Sequence, residues 1–159
     1  MYKIADKSEV DAILENLGND FRTMRWAAFM RQEQRNLENI HRRYFDSFVG
    51  PDGQSWKANA PLTIKRKGHD RRLHGKPANG FRLRQSLTLP HSEFGIRYEI
   101  DEWPNARIVF GTDAPYHGYN QEGTRRIPAR KHLGITRAYF YQLSRRANQY
   151  ALKKITRIA

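Results

Sequence analysis

The sequence predicts an α+β domain, with a small antiparallel sheet packed against a long N-terminal helical region and a C-terminal helix. Three observations carry this. Apolar residues recur every three or four positions over 1–49 and again over 136–158; they alternate with polar ones through much of 81–112; and glycine and proline punctuate the joins. At 159 residues the whole chain, 1–159, reads as a single domain large enough to bury a core.

The elements follow in order. Ser8 is placed to cap a first helix, with Val10, Ile13, Leu14 and Leu17 at helical spacing, and Gly18-Asn19-Asp20 reads as a break. A longer helical pattern runs through Phe21, Met24, Ala28, Leu37, Ile40, Tyr44, Phe45 and Phe48, leaving Arg35, Glu38, Arg42 and Arg43 to face water or a neighbour. The turn GPDG (50–53) ends it: Gly50 is expected in a left-handed position, Pro51 cannot continue the hydrogen-bond ladder, and Gly53 completes the motif. Trp56 comes next and is expected to plug the core beside the helix end.

Residues 64–80 are basic, polar and glycine-containing, and are expected to form a loop. FRLRQSLTL (81–89), GIRYEID (95–101) and NARIVFGT (105–112) read as strands. DEWPN (101–105) turns the last two into an antiparallel hairpin, with Pro104 where no ladder donor is needed. The final helix carries Phe140, Leu143, Ala147, Ala151, Ile155 and Ile158 as its apolar stripe, with Arg145, Arg146, Lys153 and Arg157 projecting away. No internal repeat is visible.

Charge separates this chain from an ordinary small domain. Twenty-nine Lys and Arg stand against sixteen Asp and Glu, a formal net charge of +13. From Gly123 onward there are ten basic residues (Arg125, Arg126, Arg130, Lys131, Arg137, Arg145, Arg146, Lys153, Lys154, Arg157) and no acid. A second basic stretch includes Lys65, Arg66, Lys67, Arg71 and Arg72, with Asp70 its one acid. Such a field favours a polyanion or an acidic protein surface. The absence of cysteine excludes disulfides and thiolate zinc sites and fits a reducing cytoplasm. MYKIADKSEVD lacks the apolar core of a signal peptide, and no run has the ~20 apolar residues of a membrane span, so a non-secreted chain without membrane contact is expected.

A search for chemistry returns little. There is no nucleophile elbow, phosphate-binding loop, zincin motif or dinucleotide fingerprint. Asp113, His117 and Glu122 form a loose cluster, but three ligands do not make a closed site and a hydrogen-bonded loop histidine is the plainer use. Nuclease chemistry needs acids to hold Mg²⁺, and the basic regions are the acid-poor ones. The expectation is a protein with no catalytic residue, cofactor, metal or small-molecule substrate. Nucleic-acid binding is the alternative: Tyr139, Phe140, Tyr141 and Tyr150 interleave with the basic residues of the last helix, although core packing also accounts for some of these aromatics.

Four segments, GPDGQSWKANAPLT (50–63), FRLRQSLT (81–88), YHGYNQEG (116–123) and IPARKHLGIT (127–136), together resemble the phage virion morphogenesis family, which includes tail completion proteins of contractile-tailed phages and Mu-like relatives. The resemblance runs from about residue 40 to the end. It departs at Lys131-His132, where the family usually has Pro-Phe or Pro-Leu, and at Asn120-Gln121-Glu122-Gly123, where the family's H-Q-x-G lacks its histidine. It implies a structural protein of the virion, present in the host cytoplasm during assembly, acting in tail completion or head–tail joining. The implied partners are other tail or neck proteins (tail tube, terminator or connector), with subunits in a ring, a hexamer by tail symmetry, and packaged DNA a further possible contact.

The IPARKHLGIT join makes physical sense beside that resemblance. Pro128 stiffens the approach, Leu133 can bury against the sheet, Gly134 permits a tight turn, and Thr136 can cap the last helix. Arg130 on this stiff segment suits a bidentate carboxylate contact, either inside the subunit or across a ring interface. The expected interface residues are therefore Arg130, Lys131 and His132, with Arg125, Arg126, Lys65, Arg66, Lys67, Arg71 and Arg72.

Overall fold

A computed structural model describes residues 24–73, 82–101 and 107–155, together with Ala12, Glu15, Asn16, Gly18 and Asn19. Among these residues the elements are α1 (Ala27–Ser47), α2 (Pro61–Lys67), α3 (Arg82–Thr88), β1 (Gly95–Ile100), β2 (Arg107–Thr112), α4 (His117–Glu122) and α5 (Arg137–Ile155). The α+β class predicted from the sequence holds. No helix among the described residues is long and apolar enough to cross a membrane.

The backbone amide of Trp26, at the start of α1, donates to Asp101 Oδ1 at 2.6 Å, so an acid beyond β1 meets the positive end of the helix. The helix ends two residues earlier than the sequence reading had it: Phe48, not Gly50, takes the left-handed position, at φ 57°. Gly50 is required for a different reason. A Cβ there would lie 2.6 Å from the Lys131 carbonyl oxygen and 3.2 Å from Trp56 Nε1. Gly53 does take positive φ, 77°, and its amide closes the turn onto Gly50 O at 2.9 Å. Ser8, Val10, Ile13, Leu14, Leu17 and Asp20 lie outside the described residues, whereas Gly18 and Asn19 are helical, so the expected break is not at those two.

Two expectations are corrected. The start of the 64–80 stretch is not loop but the last turn of α2, which Pro61 opens and Gly68 closes at φ 79°; residues 74–80 lie outside the described residues. The stretch 81–89 is not a strand: Arg82–Thr88 is α3. Its seven residues satisfy both periods, because Leu83, Ser86 and Leu87 also step by three and one along a buried helical face. The hydroxyls decide locally. Ser86 donates to Leu83 O and Thr88 to Arg84 O, each at 2.8 Å, and the Ser86 and Thr112 hydroxyls share a hydrogen bond at 2.7 Å, tying α3 to β2.

The β1–β2 hairpin forms as expected, antiparallel, from Gly95 paired with Thr112 to Ile100 paired with Arg107; Glu102, Trp103, Pro104, Asn105 and Ala106 lie outside the described residues. Its register puts Arg97 and Glu99 on the face of Ile108 and Phe110, and this face lies on α1. Arg97 Nε donates to Glu38 at 2.8 Å, Arg31 pairs with Glu99 at 3.1 Å, and Phe110 sits 4.9 Å from the His41 ring. Glu38, expected to face outward, is therefore buried. Tyr98, on the opposite face with Ile96 and Ile100, is half exposed.

The core comprises Tyr44, Phe45, Trp56, Leu73, Leu83, Leu87 and Ala114, flanked by Ile40, Phe48, Phe94, Phe110 and Leu133. The last helix, α5, lies over α1. Thr136 Oγ1 caps it by accepting the Tyr139 amide at 3.1 Å, as the sequence predicts. Its docking face, however, is rotated from the expected stripe: Tyr139 and Ala151 are buried while Phe140 is 54% exposed. Glu33 of α1 draws this face in, accepting Tyr139 OH at 2.8 Å and Arg146 Nε and Nη2 at 2.7 Å each. Burial alone would raise that carboxyl, but the hydrogen bonds from Arg146 and Tyr139 outweigh it and hold Glu33 below its ordinary range. Arg157 and Ile158 lie outside the described residues.

Candidate assembly interface

The join between α4 and α5 is built by one amide side chain. Gln121 Oε1 accepts the His132 and Leu133 amides at 2.9 and 3.1 Å, and its Nε2 donates to Leu133 O at 3.0 Å. A single side chain thus supplies the donor and acceptors that a neighbouring strand would, satisfying an irregular backbone beside the core. The Arg130 amide adds a bond to Asn120 O at 2.7 Å, and Trp56 Nε1 donates to Lys131 O at 2.7 Å. Trp56 itself is buried, as expected of a core plug. Gly123, at φ 81°, ends α4 where a Cβ would meet the Ala129 amide nitrogen at 2.7 Å. Gly134 (φ 142°) packs against Pro51, which joins the two glycine-proline motifs in space.

This geometry turns Arg130 inward. Its Nε donates to Lys57 O at 2.9 Å, and Nη2 donates to Ala58 O at 3.1 Å and Asn59 Oδ1 at 3.4 Å. The guanidinium therefore spans backbone carbonyls of its own chain, where the sequence reading offered a carboxylate. His132 is fully buried, its Nδ1 donating to Arg130 O at 2.9 Å. Lys131 is exposed and pairs with Asp52 at 3.4 Å. Gln121 is the residue the sequence reading passed over; its one signal was its place in the N-Q-E-G segment.

Beside the clamp opens a groove of about 1000 Å³ between α2, α3, α4 and the join. Lys57, Arg66, Lys67, Arg82, Arg126 and Arg130 line it, with no acid among the described lining residues. Its apolar walls come from Leu73, Tyr116, Ile127 and Pro128. The cations crowd one another. Burial and then the Arg130 charge hold Lys67 below its ordinary range, with Asp70 opposing; burial and then Arg72 do the same to Arg130. Of the expected interface residues, Arg66, Lys67, Arg126 and Arg130 meet in this groove; Lys65, Arg71 and Arg125 are exposed outside its lining, and Arg72 stacks over the Phe48 ring at 5.0 Å.

The expected loose cluster Asp113, His117 and Glu122 does not gather: among the described residues no group of three acids or histidines is placed to hold a metal ion. A separate apolar cleft of about 600 Å³ runs between α1, β2 and α5, walled by Phe29, Met30, Leu37, Ile108, Leu143 and Ala147.

Replacing Gln121 by alanine is expected to cost about 2–3 kcal/mol, because it strands two amides and a carbonyl at a half-buried site. Urea unfolding should show a lower midpoint at unchanged slope; an unshifted midpoint would mean the join holds without this amide.

A family model described as the phage virion morphogenesis family matches residues 5–148. No curated protein and no solved structure matches the chain.

Proposed function

From the premise that the chain belongs to the phage virion morphogenesis family, we propose that it completes the tail or joins tail to head at their junction, by docking as one subunit of a ring. The family supports a structural role in phage assembly, and the match spans both the clamp and the groove wall. The observation that carries the finer reading is the groove itself: a cationic concavity with no acid among its described lining residues, beside a clamp of hydrogen bonds. Such a surface recognises an acidic partner and offers nothing arranged to break bonds. Ring closure, six copies and contact with the neck are parts of this proposal.

The test is electron microscopy of a lysate from a phage lacking only this gene. Full heads and unattached tails are expected, converted to whole particles when the purified protein is added. Normal infectious particles without the gene would overturn the joining role and bring duplex-DNA binding forward.

A further inference from the structure

The groove asks for an occupant that is both acidic and apolar. A duplex backbone is polar throughout and convex, so it leaves Leu73, Tyr116, Ile127 and Pro128 without a counterpart. One segment of this chain has the required chemistry. Residues 5–20 carry Asp6, Glu9, Asp11, Glu15 and Asp20 against the single Lys7, and intersperse Val10, Ile13, Leu14 and Leu17 at helical spacing. Five acids of the folded body, Glu33, Glu38, Asp46, Asp52 and Glu99, form ion pairs with arginines or lysines of the same body, and Asp70 offsets only part of the groove's charge at Lys67 and Arg130.

Geometry favours a neighbour's segment over the chain's own. The groove adjoins Lys57, just past the C-terminal end of α1, while residues 5–20 join the body at its N-terminal end. Twenty-one residues of helix separate those ends by roughly 30 Å. The described positions Ala12, Glu15, Asn16, Gly18 and Asn19 are helical, and helix covers only about 1.5 Å per residue.

We propose that the basic groove receives the acidic N-terminal segment, residues 5–20, of an adjacent copy. The contact is head-to-tail, so repetition closes a ring or extends a chain. It deepens the assembly reading above and rests on it for the setting in which copies meet.

The experiment exchanges charges. One full-length variant carries Arg66→Glu and Arg126→Glu; the other carries Asp6→Lys, Glu9→Lys and Asp11→Lys. Each alone sets like charges together and is expected to lose at least tenfold in joining activity on the tail-and-head lysate. Mixed one to one, every contact is again between opposite charges, and joining is expected to return to within about threefold of wild type. A cross-link gives the second readout without charge change. The chain has no cysteine, so Ala12→Cys mixed with Thr63→Cys, both full length, should form one disulfide between copies in joined particles.

Two variants that join normally on their own would overturn the inference while leaving the joining role intact. A mixture that fails although each variant keeps its folded circular-dichroism spectrum would overturn it too, as would a disulfide formed only when both cysteines are in one chain, which marks the groove as filled by its own segment. If wild type itself fails to join heads to tails, the joining role falls, and sedimentation of the same mixtures at low salt still reads the interface. A groove variant that loses duplex-DNA affinity while self-association is unchanged would assign the groove to nucleic acid instead.

Discussion

Glu38→Ala is expected to destabilise the fold by about 3–5 kcal/mol, because it leaves the Arg97 charge buried without its carboxylate. The pair sits between α1 and the hairpin, with side chains only 9% and 5% exposed. Among the described residues no hydrogen-bond partner reaches the two terminal nitrogens of Arg97, and its guanidinium lies over the Phe110 ring, 4.8 Å away. Desolvation of an uncompensated guanidinium therefore dominates the loss. The companion change separates this cause from simple packing loss. Glu38→Leu combined with Arg97→Met replaces the pair by apolar volume and should return within about 1 kcal/mol of wild type, or exceed it. Chemical unfolding of the three proteins measures both; a mild single mutant would mean water reaches Arg97. Because Glu38→Ala acts on folding, its loss of joining should track loss of soluble folded protein, unlike that of the groove variants.

Mild acid is expected to weaken the protein strongly. Burial holds His41 and His132 at about 4, against an ordinary value of 6.5. Backbone carbonyl bonds, to Leu37 O and Arg130 O, oppose the shift, while Arg97 adds to it at His41 and the His117 and His41 charges add to it at His132. In each ring Nδ1 donates to the carbonyl and Nε2 is buried without a partner among the described residues, so protonation places an unsatisfied N–H in the core. The unfolded chain then binds more protons than the folded one between pH 6.5 and 4, and stability falls as pH falls through that window. At pH 5 the loss is about 2 kcal/mol per histidine, or about 4 kcal/mol for the pair. For a chain of this size that lowers Tm by about 10 °C between pH 7.5 and 5.0. His132→Gln should remove roughly half of the drop. The Glu33 carboxyl, held low, adds its own loss only below about pH 4.5. A Tm that is flat across this range would mean both rings reach solvent.

Much of the fold was legible because it is local. The hairpin announced itself by alternation, Thr136 by the start of a helical stripe, and Trp56 by its place after a glycine-proline turn. The stretch 81–89 misled because seven residues fit both periods, and the choice was made by hydroxyl bonds, one of them to Thr112 in a strand not yet placed. Glu38 misled because outward charge is the ordinary case, and its arginine lies 59 residues away. The site divided similarly. Clustered basic residues were plain, but which of them converge was not: Arg130 turns inward because Lys57 and Ala58 present carbonyls from a segment more than 70 residues earlier. Gln121 gave no signal of its own, since a lone amide looks like any surface glutamine until the backbone it replaces is known.

The Trp56–Lys131 bond and the Arg130 span join stretches 75 and 73 residues apart, and the Arg130 span lines one wall of the groove. Contacts of such long sequence separation close late, after local helices and the hairpin. The groove wall accordingly forms after the local elements. A nascent or half-folded copy presents scattered cations but no concavity, so it has nothing for a neighbour to engage. On the docking role proposed above, folding order would act as a licence for incorporation, admitting only finished subunits.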